Sequence, residues 1–299
     1  MFKNTMKTGV LLASLGGLIV AVAGLLGGGS ATSLTIGLAI ALVMVGGSYW
    51  FSASLALRSA RAQVITEADH PEFYGIVASL SQRAGLPMPR VAIAPSDQPN
   101  AFATGRGPRD AVVCATTGLL TSMPRHEIEA VMAHELMHVK HRDILIGSVA
   151  AAIATAISWI AQMAMFASMF GGSSNDEDRP NPIALLLTSL LAPIAASLIQ
   201  MAVSRSREFD ADRGAAALLG TGEPLASALE RIEVLAARRP MTVAPAQAQA
   251  YIHNPLAEAR AAGRGRGNSA SMARLFSTHP ATEERIRRLR SQAPVHASR

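Results

Sequence analysis

The sequence predicts a mostly α-helical membrane protein, with four transmembrane helices and an α+β domain that contains a small β-sheet. Two observations support this fold class. Of the 299 residues, 49% are hydrophobic and only 16% are charged, whereas about 25% are charged in typical soluble proteins. The charges are also unevenly placed, because long uncharged stretches alternate with segments that show helical periodicity and short β-branched runs.

Three uncharged stretches are long enough to cross a bilayer, and the first is long enough to do so twice, since a membrane helix needs about 20 mostly apolar residues. The predicted spans are about 9–28, 34–56, 145–170 and 183–203. The alternatives are a cleaved signal peptide for the first span and a buried helical hairpin for the last two. The second span follows the first closely, which favours a retained hairpin. The last two stretches exceed ordinary core helices and are apolar all round, which favours membrane helices.

These spans divide the chain into two transmembrane hairpins, at 1–57 and 144–204, and two folded segments, at 58–143 and 205–299. Lys and Arg flank all four spans on one side, whereas the loop "SSNDEDRPNP" on the other side is acidic. By the positive-inside rule, both termini and the folded domain are cytoplasmic. We interpret the net charge of +6 as this bias. No nucleic-acid-binding motif is present, so no nucleic-acid partner is expected.

The segment 58–143 alternates between helix and strand patterns. A helix is predicted from Pro71 to a stop at Gly85, with an apolar face. "RVAIAP" and "AVVCAT" predict two strands, and "NAFATG" between them predicts an edge strand. The lone Cys114 is expected to be a small buried strand residue, and it has no partner for an intrachain disulfide.

A second helix is predicted over 124–142, where apolar residues recur at helical spacing. No Gly or Pro separates it from the third span, so one long helix is expected to continue into that span. After the fourth span, a helix is expected to end at Gly220. An amphipathic helix, "EPLASALERIEVLAARR", follows, then a loosely ordered stretch at 239–270, and a charged helix ends the chain.

The run "HELMH" lies in the 124–142 helix and points to metal chemistry. His134 and His138 are four residues apart, so they share a helix face and can bind one ion, with Glu135 beside them. A zinc-bound water has its pKa lowered toward about 7, so Glu135 can take its proton as general base. This arrangement predicts hydrolysis of a peptide bond without a covalent intermediate.

Catalytic zinc needs three protein ligands and an open position. His141 shares the helix face, but seven residues of helix span about 10.5 Å, which is too far for one ion. Glu208, just after the fourth span, is the predicted third ligand. Asp212 follows one turn later and is predicted to accept the N–H of His134, whereas Asp210 should point away.

A family resemblance rests on four motifs: "AVMAHELMHVKHRD", "SRSREFDADRGAA", "PNAFATG" and "FSTHPATEERI". They resemble those of the HtpX heat-shock membrane zinc proteases, and the resemblance covers essentially the whole chain. It implies a cytoplasmic, zincin-like metalloprotease domain that binds one zinc ion through His134, His138 and Glu208, with Glu135 as base. It also implies a stress-response role in the bacterial inner membrane. There the protein would degrade damaged or misfolded membrane proteins alongside other quality-control proteases.

Two further motifs gain meaning from the resemblance. The predicted edge strand can pair with an extended substrate through its main chain, so Asn100, Ala101 and Phe102 are expected to bind substrate. A simple turn role is the alternative for Asn100. His279 in "STHP" is expected to stabilise the oxyanion of the tetrahedral intermediate, with a capping or surface histidine as the alternative.

Three competing functions remain at this stage. A non-proteolytic scaffold or metal sensor would hold a closed zinc site, although such a site needs no general base at Glu135. A transporter is disfavoured, because the predicted spans contain no charged residue of the kind that marks an ion path. A processing peptidase for specific prenylated or short peptides is the narrower enzymatic alternative.

Overall fold

The computed structural model describes residues 30–145, 205–238 and 281–291, with scattered positions between 6 and 20. The predicted span at 183–203 lies outside these ranges, as do all but the first residue of 145–170 and most of 9–28. The described residues form a four-stranded β-sheet with helices packed on both faces.

Helix α1 (Ala31–Ser59) occupies the position of the second predicted span. Within the described ranges, no single helix meets the length and hydropathy that a membrane crossing requires. The two arms of α1, Leu34–Gly47 and Tyr49–Ser59, meet them together across a bend of 62°. Trp50 and Phe51 in the second arm are exposed.

The sheet contains β1 (Gln63–Ile65), β2 (Arg90–Ala94), β3 (Ala101–Thr104) and β4 (Val112–Thr116) in the order β1-β2-β4-β3. β2 and β4 are parallel, and the two outer pairs are antiparallel. The three predicted strands are confirmed, and β3 lies at an edge as predicted. β1 was not predicted, because three residues with two exposed side chains show no alternating pattern.

The two faces of the sheet pack against different helices, as strand alternation requires. One face joins the main core. The other face lies against the second arm of α1, where Leu57 is buried. The residues on this second face are Ala92, Ala94, Phe102, Val112 and Cys114. Cys114 is therefore a buried strand residue, as predicted, and burial raises the pKa of its thiol.

Helix α2 (Pro71–Ala84) has the predicted bounds. Pro71 opens it, and Gly85 ends it at φ 67°, a left-handed conformation that glycine adopts without side-chain strain. Its buried face includes Phe73, Ile76, Val77 and Leu80, as the helical spacing predicts. The short helix α3 (Thr117–Ser122) follows β4 directly.

Helix α4 (Arg125–His141) forms where the sequence predicts it, but the expected continuous helix into the third span is wrong. The chain turns at Arg142, whose φ of 59° is left-handed. The amide of Asp143 then donates to the carbonyl of His138 at 2.9 Å. A non-glycine residue in this conformation costs about 1–2 kcal/mol, so the absence of Gly and Pro does not reveal the stop. The turn brings the Asp143 side chain back beside α4.

Three helices complete the described structure, namely α5 (Arg205–Leu219), α6 (Glu223–Arg238) and α7 (Thr282–Ser291). α5 is followed by Gly220 at φ 84°, in agreement with the predicted stop. α5 also approaches α4 closely at Gly214, because a Cβ there would lie 2.8 Å from the Met137 side chain. α7 packs against α5 and α6. Helices α4, α5 and α7 therefore meet around one cluster of buried polar side chains.

The first turn of α4 is tied to α6 by a buried carboxylate. Glu127, 1% exposed, accepts hydrogen bonds from Ser227 Oγ at 2.5 Å and from Arg231 Nε at 2.7 Å. These bonds satisfy a charge that would be costly to bury alone. They orient the helix that contains the two site histidines.

Candidate metal centre

Helix α4 places His134, Glu135 and His138 in the buried polar cluster. His134 and Glu135 are 1% and 2% exposed, and the side chain of His138 is 15% exposed. The two histidines lie one helical turn apart and stack edge to face, with ring centroids 4.7 Å apart. Their Nε2 atoms are 3.1 Å apart, so both point to one position.

Helix α5 adds Glu208 to this pair. Its Oε2 lies 3.7 Å from His134 Nε2, and its Oε1 lies 3.6 Å from His138 Nε2. Tetrahedral zinc with bonds of about 2.0–2.2 Å requires donor atoms roughly 3.3 Å apart. The distance between the two imidazole nitrogens lies close to this spacing, as does the distance from each of them to one of the two Glu208 oxygens. Two imidazoles with one carboxylate are a donor set that catalytic zinc uses. These residues therefore fit a metal ion.

Glu135 lies beside this donor set in a dry environment. Burial raises the pKa of its carboxyl to about 7, and the nearby Glu208 carboxylate acts in the same direction. The positive charges of His138 and Arg285 oppose the shift, as does a hydrogen bond from the Ala103 N–H. A carboxyl group with a pKa near neutral can take up and return a proton at neutral pH.

His134 is oriented from behind by Asp212. The Oδ1 of Asp212 lies 2.9 Å from His134 Nδ1, which is the pairing that the sequence predicts. Although burial alone raises the pKa of Asp212, the charge and hydrogen bonds of Arg285 hold it at about 2. Burial lowers the pKa of His134, and the charges of Arg285 and His138 act in the same direction, so the pKa is lowered although Asp212 opposes the shift. A neutral His134 that donates from Nδ1 presents the lone pair of Nε2 to a metal.

His138 has a carboxylate partner too, and the sequence did not reveal it. Asp143 Oδ2 lies 3.4 Å from His138 Nδ1, and Arg207 Nε lies 4.0 Å from the other Asp143 oxygen. Burial lowers the pKa of His138, but Asp143 and the neighbouring carboxylates outweigh it and raise the pKa to about 9. Five residues along a helix do not share a face. The contact depends on the left-handed turn at Arg142.

Arg285 is the second residue that sequence reasoning missed. It is 2% exposed, and its guanidinium forms a two-bond fork with Asp212. The sequence contains one indication that Arg285 is buried, because it precedes Leu289 by four residues and Ile286 by one. It therefore lies on the apolar side of an otherwise charged helix.

The predicted substrate residues lie near this cluster but are buried. Asn100 is fully buried, and its Oδ1 accepts from the Ala101 N–H at 3.0 Å. Its main chain pairs with Thr116 in β4, so by alternation the main-chain groups of Ala101 and Ala103 point away from β4. The Phe102 side chain packs under α1, on the face opposite the main core. By the same alternation its main-chain groups face Cys114 in β4, so this arrangement does not support the predicted contact between Phe102 and substrate, which stays a prediction.

The remaining site predictions have mixed outcomes. His279 lies outside the described residues, so its predicted role stays a prediction. Asp210 is exposed and pairs with Arg213, in line with its predicted outward direction. Among the described residues, the group that could hold a metal ion consists of His134, His138 and Glu208; His141 is not part of it, as the length of the helix requires.

Comparison with known proteins identifies the family of the chain. The model of peptidase family M48 matches residues 67–293, more than half of the chain. A protein named "Protease HtpX homolog" from Paraburkholderia phytofirmans is 49% identical over 293 residues, or 97% of each chain. A protein of the same name from Methylibium petroleiphilum is 49% identical over 294 residues, which cover 97% of this chain and 98% of that relative. That of Burkholderia mallei is 50% identical over 293 residues, or 97% of each chain.

The crystal structure of S. mikatae Ste24p aligns with 96% of this chain at 20% identity and a TM-score of 0.49, and the chain spans 65% of its length. The family and relative matches confirm both the resemblance to HtpX proteases and the predicted metalloprotease class. The chain belongs to peptidase family M48, among its HtpX proteases.

Proposed function

We propose that the protein is an integral membrane, zinc-dependent endopeptidase that cleaves damaged or misfolded membrane proteins, with Glu135 as general base. The convergence of His134, His138 and Glu208 is the observation on which this proposal mainly rests. Their donor atoms lie within 4.8 Å of one another, at separations suited to one tetrahedral ion. Glu135, next to His134 in the chain, is buried beside them.

These three residues would hold the zinc, with one position left for water or substrate. When bound there, zinc supplies a Lewis acid that polarises a peptide carbonyl and acidifies the attacking water. Glu135 takes the proton from that water and passes it to the amine that leaves. Its pKa of about 7 suits both transfers, because a group that titrates near the working pH can accept a proton and then release it.

The edge strand β3 suggests how substrate is held. The main-chain groups of Ala101 and Ala103 that point away from β4 lie at the edge of the sheet, where the Ala101 N–H donates to Asn100 Oδ1 and the Ala103 N–H to Glu135. A substrate strand would pair here in exchange for these two bonds. An extended chain that pairs with this edge would therefore pass beside the base. Strand pairing through the main chain imposes little sequence preference, which suits a protease for misfolded proteins.

The membrane location is part of the proposal. The basic residues that flank the predicted spans on one side support a cytoplasmic domain in a bacterial inner membrane. The apolar residues exposed along α1 support contact with lipid, among them Leu42, Val43, Trp50 and Phe51. A non-proteolytic scaffold is disfavoured by Glu135, since a closed structural site has no use for a base beside it.

The test uses the full chain, purified in detergent without metal and then given zinc. Wild type, Glu135→Gln and the control Glu129→Gln would be compared for casein cleavage and bound zinc. Glu129 lies in the same helix and pairs with exposed Arg125, away from the donor set. We expect about one zinc in all three proteins, with cleavage lost only in Glu135→Gln. Zinc binding without cleavage of any tested substrate would favour the scaffold, and no zinc binding by wild type would refute the metal centre.

A further inference from the structure

Arg285 occupies an unusual environment for an arginine. Its neighbours Arg287, Arg288 and Arg290 on α7 are exposed, whereas Arg285 is 2% exposed. Burial of a guanidinium is costly unless its charge and its donors are matched by acceptors. α7 therefore packs with the charged side chain of Arg285 directed into the core. The residue that this side chain contacts indicates its role.

The partner is Asp212, held by a fork of two hydrogen bonds. Arg285 Nε donates to Oδ2 at 2.9 Å, and Nη2 donates to Oδ1 at 2.7 Å. The same Oδ1 lies 2.9 Å from Nδ1 of His134. A planar guanidinium that binds both oxygens of a carboxylate fixes the plane of that carboxylate. Arg285, Asp212 and His134 thus form one continuous series of contacts between side chains, which ends at the donor set.

We propose that Arg285 is a positioning residue of the metal centre, acting through Asp212 on the orientation of His134. The fork keeps Asp212 from rotating, so its Oδ1 stays in line to accept the Nδ1–H of His134. That bond selects the tautomer whose Nε2 is free to bind metal. The inference rests on the proposed metal centre. Its consequence is that docking of α7 and metal binding stabilise each other.

The competing role for Arg285 is a simple positive charge that balances the buried carboxylates of Asp212 and Glu208. Its Nη1 lies 3.7 Å from Glu208 Oε2 and its Nη2 lies 3.5 Å from His134 Nε2, so its positive charge also repels a bound cation. Arg285→Lys separates the two roles, because lysine retains the charge but cannot form the planar fork. If orientation dominates, zinc binding weakens in this variant although its charge is unchanged. Loss of a partner that orients a ligand typically weakens metal affinity about 10- to 100-fold.

The experiment measures zinc affinity of the full chain in detergent by competition with a chelator. The variants are Arg285→Lys, Asp212→Asn, the double variant, and the control Arg288→Lys. Arg288 lies on the same helix and stacks on the Phe209 ring of α5 at 3.7 Å, so its substitution tests loosened docking alone. We expect about tenfold weaker zinc binding for Arg285→Lys and an affinity close to wild type for Arg288→Lys. In the Asp212→Asn background, Arg285→Lys should cause little further loss.

Melting temperatures of the zinc-free proteins separate a folding defect from a positioning role. If Arg285→Lys melts at a lower temperature but binds zinc as tightly as wild type, the residue is structural and the proposal is overturned. Equal losses of affinity with and without Asp212 would show that Arg285 does not act through that residue, and would also overturn it. Absence of zinc binding in wild type would instead overturn the proposed metal centre on which the inference depends.

Discussion

The absence of a side chain at Gly222 allows α7 to pack closely against this residue, and Gly222→Ala tests the importance of that contact. A Cβ at Gly222 would lie 2.5 Å from the carbonyl oxygen of Leu289 and 3.0 Å from its carbonyl carbon. Both atoms belong to the backbone of α7, so no side-chain rotation can relieve the overlap. The helix would have to retreat by roughly 1 Å to restore an ordinary van der Waals contact.

A displacement of this size is more than the hydrogen bonds between Arg285 and Asp212 can accommodate. The two Arg285–Asp212 hydrogen bonds are 2.7 and 2.9 Å long, and an added 1 Å would take them beyond about 3.5 Å, where hydrogen bonding is lost. Overpacking of this kind typically costs about 1–3 kcal/mol. We therefore expect Gly222→Ala to lower the melting temperature of the zinc-free protein and to weaken its zinc affinity as well.

Gly75→Ala is the matched control. Gly75 lies on the exposed side of α2, and a Cβ there would meet nothing within 4 Å. Alanine should stabilise this helix by about 0.5–1 kcal/mol relative to glycine. The assay is thermal unfolding of both variants with and without zinc, together with chelator competition. A Gly222→Ala protein as stable as Gly75→Ala, with wild-type zinc affinity, would refute the tight α6–α7 contact.

Two further predictions concern His138. Its pKa is raised from 6.5 to about 9 in the fold, so its contribution to the stability of the zinc-free protein is complete below pH 6.5. That contribution is lost as pH rises through 9. Zinc must displace this proton, so zinc affinity should rise with pH up to about 9; a chelator titration across pH 6–10 that shows no rise would contradict this. Asp143→Asn should lower the pKa at which the rise ends, and above pH 9 it should bind zinc about tenfold more weakly than wild type. A variant curve that overlays wild type would exclude Asp143 as the partner of His138.

Local features of the fold could be predicted because they depend on residues near one another in the chain. Pro71 and Gly85 mark the ends of α2 through backbone preferences that each residue has by itself. β3 could be recognised as an edge strand from its short polar-bounded pattern. The stop after α4 could not, because Arg142 adopts a left-handed conformation that its residue type does not signal.

The order of residues was enough to predict the core of the candidate metal centre. His134, Glu135 and His138 share one helix, so a spacing of four residues is enough to place both imidazoles on one face. Glu208 and Asp212 have the same spacing on a second helix. The association between the two helices was predicted from the order of the spans, because His134 precedes the third predicted span and Glu208 follows the fourth. The family motifs imply the same ligands.

The side chains that surround that core could be identified only from the folded protein. Arg285 reaches Asp212 from a helix 73 positions later in the chain, and Asp143 reaches His138 only after the backbone reverses its direction. Neither contact has a local pattern, because each depends on packing between elements or on a costly backbone conformation. The expected role of Phe102 in substrate binding was likewise stated without knowing which face of its strand meets the site. Strand alternation fixes which residues share a face, but only the packing of α1 and α4 decides which face meets the site.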